Sequence, residues 1–237
     1  MSKKRKPSSD LLAGLDIGST AVRLAVGNVA TGPDGPELHL LAAAEAPSAG
    51  VHRGVVTSIE DTVSAISTAL EKAERLVGLP IEHAWVGITG THIKTQESKG
   101  VVAVARSNGE ITPEDVDRAV EAARTVATPL NYEMLHVIPR TFSVDGQGGH
   151  KNPVGMSGVR LEVDTQIIQG VSAHIKNITR AVYRTGLDID DVVLGVLAAG
   201  EAVLTPRQKE LGVAVIIIGG TTTGVAIYED GNVIHTA

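Results

Sequence analysis

Cysteine is absent from the 237 residues, so disulfides, thiolate zinc sites and cysteine nucleophiles are all excluded. Aromatic residues are scarce. Trp85, Tyr132, Phe142, Tyr183 and Tyr228 are the whole set, too few for the stacking platform on which single-stranded nucleic acid is held. Positive charge is not in excess either: 21 Lys and Arg stand against 27 Asp and Glu, a net charge of −6. That balance argues against a nucleic-acid binder held by general electrostatics. No apolar run approaches the ~18 to 20 residues of a spanning helix; the longest, 213–218, is strand-sized. What the chain does have is 43% apolar residues, enough for a core of Val, Ile, Leu and Ala in one large domain or two small ones.

The N-terminus carries Lys3, Lys4, Arg5 and Lys6 ahead of Leu11-Leu12-Ala13. A signal peptide needs a longer apolar stretch and a small-residue cleavage site, and Asp16 interrupts too early. Residues 1–10 therefore read as a disordered basic tail on a cytoplasmic protein.

Two apolar runs, 11–16 and 21–29, flank Ile17-Gly18-Ser19-Thr20 and predict a hairpin, with a third strand at 37–44 after the turn cluster Thr31-Gly32-Pro33-Asp34-Gly35. Ile59, Val63, Ile66, Leu70, Ala73 and Val77 recur at three- and four-residue steps and predict a helix, capped by Ser58 and ended by Gly78. Strands are expected at 83–89 and 101–105. Thr112-Pro113-Glu114-Asp115 is a helix start, with the apolar stripe carrying the helix to about Ala127. Extended segments at 135–144 and 159–170 enclose a glycine-rich loop, 146–158. Ser172 is expected to cap a third helix, followed by a strand at 191–196 and a short helix at 197–204 that stops before Pro206. The last 25 residues repeat the opening arrangement: strand 213–218, a glycine and hydroxyl turn, strand 223–228, an Asp230-Gly231 turn, then Val233. This duplication is the most informative architectural feature.

The two turns carry the chemistry. In Asp16-Ile17-Gly18-Ser19-Thr20, glycine lets the backbone approach an anion, while N–H groups and two hydroxyls donate to phosphate oxygens. Asp16 at the strand end could hold Mg²⁺ through water. The second turn, Gly219-Gly220-Thr221-Thr222, offers N–H and hydroxyl donors but no acid, being flanked by Ile217 and Gly224. An ordinary hairpin is the alternative reading of each. Eight scattered histidines make no His-x-x-x-His pair on a helix and predict no metal cluster. Lys176, Arg180 and Arg184 read as a solvated helix face.

These residues resemble the FtsA family of bacterial cell-division proteins, within the actin and Hsp70-type ATPase superfamily. The resemblance runs through Gly14-Leu15-Asp16-Ile17-Gly18-Ser19-Thr20, Gly54-Val55-Val56, Val86-Gly87-Ile88-Thr89-Gly90-Thr91-His92-Ile93, Leu135-His136-Val137-Ile138-Pro139, Gly155-Met156-Ser157-Gly158-Val159-Arg160-Leu161-Glu162 and Glu210-Leu211-Gly212-Val213. It implies an α/β, actin-like (ribonuclease H-like) first lobe at 11–83 and 165–197. A small α+β subdomain of SHS2 type is inserted at 84–164, and a second lobe starts at 198–237. It further implies ATP and Mg²⁺ at Asp16, Gly18, Ser19, Thr20, Gly219, Gly220, Thr221 and Thr222, with Asp16 on the metal side. The implied partners are other copies in a polymer, FtsZ filaments and later division proteins, with no nucleic acid. The implied location is the inner face of the cell membrane at the division site, reached through a C-terminal amphipathic helix that has no counterpart in these 237 residues; a longer parent chain is expected.

Three acids of the family pattern are missing. Gly195 stands where a Leu-Glu-Pro-Leu-Ala segment usually has its glutamate, and Ile217 and Gly224 stand where the second phosphate motif usually begins and ends with Asp. The resemblance thus predicts a scaffold with impaired ATP hydrolysis. Its rivals are an active actin-like ATPase and a pilus-assembly adaptor of the same superfamily.

Overall fold

The structure, a computed structural model, describes residues 11–32, 35–125 and 128–237. The basic tail, the Pro33-Asp34 turn centre and the expected helix end at Ala127 lie outside the described residues. In chain order the elements are β1 (Leu11–Ile17), β2 (Ala21–Gly32), β3 (Gly35–Pro47), the short β4 (Val51–His52) and β5 (Val55–Val56), and α1 (Ile59–Val77). They continue with β6 (His83–Ile88), β7 (Ile93–Ala103), α2 (Pro113–Ala123), β8 (Tyr132–Val144), β9 (Gln147–His150) and β10 (Arg160–Val171). The remainder are α3 (Ser172–Tyr183), β11 (Asp188–Leu194), α4 (Gly195–Val203), α5 (Pro206–Leu211), β12 (Val213–Ile218), β13 (Thr223–Glu229) and β14 (Asn232–Thr236).

The chain divides into two compact units. The first comprises the described residues of Met1–His92 with Ala173–Ala199 and Ile216–Gly224; the second comprises Ile93–Ser172, Gly200–Val215 and Val225–Ala237. Unit one is built on a five-stranded sheet in the order β11-β6-β1-β2-β3. β1, β2 and β3 form an antiparallel meander, while β6 and β11 run parallel beyond β1. That strand order is the ribonuclease H-like arrangement of actin-like folds.

Alternation in β1 puts Ala13, Leu15 and Ile17 inward, facing the same side as Val22, Leu24, Val26, Ala84, Val86 and Ile88. α1 packs across β2 and β3 through Ala65, Ile66, Ala69 and Ala73. Burying Ile66 completely stabilises this layer by about 1.5–3 kcal/mol. The helix ends follow from local chemistry: the Ser58 hydroxyl accepts from the Asp61 N–H at 3.2 Å, and Gly78 takes the left-handed φ of 76°. α3 buries Ile175, Ile178, Ala181 and Val182, and its end is tied to the start of α1 by Arg184 on Glu60 at 3.1 Å.

Unit two holds a four-stranded antiparallel sheet, β7-β10-β8-β9. α2 covers it over a core of Ile111, Ala119, Ala123, Phe142, Val144, Leu161 and Val163. The helix starts at a reciprocal cap: the Thr112 N–H and hydroxyl donate to Asp115 Oδ2 at 2.9 and 2.8 Å, and Thr112 Oγ1 accepts from the Asp115 N–H. Those bonds, with Arg118, hold the buried Asp115 carboxyl well below the usual carboxylate range. Gly100 lets α2 approach β7, since a Cβ there would lie 1.9 Å from the Ala119 carbonyl oxygen.

Several expectations need correction. The strand expected at 101–105 is the end of a longer one, β7, which pairs with β10 from Ile93 to Ala103. Its Lys94 to Lys99 run is polar on both faces and shows no alternation. The glycine-rich loop contains β9, which pairs with β8. Ser172 is the first residue of α3 and not its cap. Pro206 does not simply end a helix; it opens α5, capped by Thr205. The start expected for the insertion, Ala84, falls inside β6 of the first sheet. Among the described residues no helix is long and apolar enough to cross a membrane.

Candidate functional site

Two turns of unit one share one construction. At the end of β1, the Gly18 N–H donates to the Ala21 carbonyl at 3.0 Å; after β12, the Gly219 N–H donates to the Thr222 carbonyl at 2.9 Å. Gly18 requires a small residue, because a Cβ would lie 2.8 Å from the Ala21 carbonyl oxygen, and the fit at Gly219 is tight, with a Cβ 3.1 Å from the Thr222 carbonyl oxygen. The duplication read in the sequence thus extends to the hydrogen bond that closes each turn.

The turns meet tip to tip. Ser19 Oγ lies 2.6 Å from Thr221 Oγ1. A Cβ placed on Gly220 would lie 2.3 Å from the Thr20 methyl. The contacts are reciprocal: the second residue of each turn touches the third residue of the other. Ser19 and Thr20 are therefore brought against Thr221 and Gly220, with Gly18, Gly219 and Thr222 in the same two turns and Asp16 near the end of β1.

A third segment joins them, one that the sequence did not single out for this place. β4 and β5 are joined by Arg53 and Gly54, both left-handed at φ 51° and 74°. This turn directs the Arg53 N–H to Thr221 Oγ1 at 3.0 Å. Gly54 is obligatory, since a Cβ would lie 1.9 Å from the Thr89 carbonyl oxygen. The sequence trace of this element is Arg53-Gly54 between Val51-His52 and Val55-Val56, of which Gly54-Val55-Val56 carries part of the resemblance without pointing to this place.

Asp16 ends a row across three strands, Asp16–Arg23–Glu45. Arg23 Nη1 is 3.8 Å from Asp16 Oδ2, and Arg23 Nε donates to Glu45 at 2.9 Å. The Asp16 side chain is 52% exposed. Loss of solvent on its inner side pushes its carboxyl upward, and Arg23 partly opposes that shift. As for Mg²⁺, no group of three His, Cys, Asp or Glu among the described residues is placed to hold a metal. One carboxylate with neighbouring hydroxyls fits Mg²⁺ only as the junior partner of phosphate oxygens, which is how that ion is commonly held.

Gly224 lies against α4, next to Gly195. A Cβ on Gly224 would lie 3.6 Å from the Cβ of Val196, the buried neighbour of Gly195 in α4; a Cβ on Gly195 would lie 3.0 Å from the Thr89 methyl. Ile217 is half-buried in β12.

This strand order, with a second α/β unit entering through β7 to β10, defines an actin-like fold carrying an inserted subdomain. Solved structures agree. The PilM–PilN type IV pilus biogenesis complex contains a chain matching 95% of this one and covered to 60%, with a TM-score of 0.62 at 14% identity. The ethanolamine utilization protein EutJ from Carboxydothermus hydrogenoformans matches over 100% of this chain and 53% of its own, with a TM-score of 0.51 at 16% identity. At such identities the likeness speaks for the fold alone.

Sequence adds a likeness to one family. Residues 90–169 match the family model described as the SHS2 domain inserted in FtsA. The chain is 40% identical to cell division protein FtsA of Pseudomonas aeruginosa over 97% of its own length and 54% of that protein's. It is 39% identical to FtsA of Bacillus subtilis over 97% and 51%, and 37% identical to FtsA of Escherichia coli K12 over 95% and 53%. The chain is similar to the FtsA proteins along nearly its whole length and spans about half the length of the curated relatives it matches.

Proposed function

We propose that the chain serves as an FtsA-type cell-division scaffold. In this reading it polymerises, ties FtsZ filaments to the inner face of the membrane at the division site and recruits later division proteins. The five-stranded sheet with α1 and α3 is its first actin-like lobe, the four-stranded sheet with α2 the inserted subdomain, and β12 to β14 the start of a second lobe. The observation that carries the reading is the SHS2 match at 90–169 inside a chain about 40% identical to FtsA along nearly its whole length. The likeness to a pilus-complex chain favours an adaptor as a second reading, but at 14% identity it supports only the shared fold.

The two turns are the proposed nucleotide site. Gly18, Ser19, Thr20, Gly219, Gly220, Thr221 and Thr222 would offer backbone N–H groups to phosphate oxygens, the hydroxyls of Ser19, Thr20 and Thr222 would add to them, and Asp16 would hold Mg²⁺ through water. ATP supplies the phosphate charge that brings the metal in. Hydrolysis needs more: an acid to position water and fixed groups to stabilise developing charge, each contributing a factor of about 10² or more. With Gly195, Ile217 and Gly224 at the positions concerned, phosphoryl transfer stays near its uncatalysed level.

The test is sedimentation of the purified chain with Mg-ATP, coupled to phosphate release. Pelletable assemblies without release above buffer support the reading. Turnover that Asp16→Ala abolishes overturns the impaired-hydrolysis part, and a chain that stays in the supernatant with every nucleotide overturns the scaffold part.

A further inference from the structure

Ser19, Arg53 and Thr221 converge on one point. The Thr221 hydroxyl accepts the Arg53 N–H at 3.0 Å and is hydrogen-bonded to the Ser19 hydroxyl at 2.6 Å. Either hydroxyl can donate in the Ser19–Thr221 bond; with Ser19 donating, the Thr221 oxygen takes an N–H from one turn and an O–H from another, the situation a phosphate oxygen meets in an anion cradle. Here that oxygen belongs to the chain itself. The neighbouring backbone adds to the closure, because Gly220 packs directly against the Thr20 methyl.

We infer that Thr221 is a specificity-determining residue of this site: its hydroxyl stands in for a phosphate oxygen between Ser19 and Arg53, so a nucleoside polyphosphate must displace it to bind. The inference rests on the reading of the two turns as a phosphate site. It explains why the Ser19 hydroxyl and the Arg53 N–H are already engaged by Thr221. It also separates Thr221 from its neighbours: Ser19 and the Arg53 N–H would bind the anion, whereas Thr221 competes with it.

Binding then costs the hydroxyl bridge. Two neutral hydrogen bonds, each worth about 0.5–1.5 kcal/mol net, correspond to a loss of about tenfold or more in affinity. Thr221 is not among the residues with positive φ, so Ala and Ser both fit its backbone. Thr221→Ala removes the bridge, and Thr221→Ser keeps the hydroxyl while deleting only the methyl.

The experiment is titration of the intact chain and both variants with fluorescent Mg-ATP and Mg-ADP analogues, with Ser19→Ala in parallel and circular dichroism to confirm the fold. Thr221→Ala should bind about tenfold or more tightly than the wild type, and Thr221→Ser should match the wild type. Equal affinity of Thr221→Ala and wild type, with Ser19→Ala weakened, overturns the role of Thr221 and leaves the site standing. A gain in Thr221→Ser equal to that in Thr221→Ala also overturns it, since bulk and not the hydroxyl would then be limiting. No binding by any variant at millimolar nucleotide overturns both the inference and the site.

Discussion

Replacing His92 by glutamine should flatten the acid side of the stability profile. His92 is only 6% exposed, and neither ring nitrogen has a hydrogen-bond partner among the described residues. Its ring meets that of His174 edge-on, with centroids 5.1 Å apart. Burial first, and then the charge of His174, pull its pKa from 6.5 down to about 4. In the unfolded chain the imidazole protonates near 6.5, so between that pH and about 4 the unfolded state binds more protons. Acidification therefore favours unfolding. Linkage with these two values gives a loss of about 2 kcal/mol between pH 7.5 and pH 5, and ~3 kcal/mol once pH falls below 4. Urea denaturation at the two pH values, on the wild type and His92→Gln, isolates the term as a double difference, because the other titrating groups are common to both. A wild type that loses no more stability than the variant would refute the reasoning.

Two further substitutions test the packing of unit two. Gly100→Ala should destabilise by about 1–3 kcal/mol or more, because its Cβ meets backbone atoms of α2 that cannot turn aside; an unchanged thermal midpoint would contradict the close approach. Thr112→Ala should cost about 1 kcal/mol by removing both hydroxyl bonds of the α2 cap. Restoration by Thr112→Ser, read in the same melt, separates capping from lost side-chain volume.

Legibility in the sequence followed the strength of the local signals. α1 could be read to its ends, because a 3.6-residue apolar stripe lies between Ser58 and Gly78. The hairpins at either end of the chain were equally plain, since apolar runs flank glycine and hydroxyl turns. β7 was not, because its polar first half acquires strand structure only from pairing with β10. α5 was hidden by Pro206, a residue that ends one helix as readily as it opens another. At the site, the duplicated turns were readable, but the contact between positions 202 apart depends on the tertiary fold. Arg53 takes part through its backbone N–H, which leaves no side-chain signature. The His92–His174 pair was equally invisible as two of eight scattered histidines.

The absence of native cysteine makes the central contact directly measurable. In a Ser19→Cys, Thr221→Cys chain the two sulfurs would replace hydroxyl oxygens now 2.6 Å apart, within reach of a disulfide after small adjustment. Mild oxidation should close an intramolecular loop, seen as a faster-migrating band that reductant reverses, while each single variant stays unchanged. A double variant that keeps both thiols free under the same oxidation would show that the two turns do not meet, and the site built on them would fall.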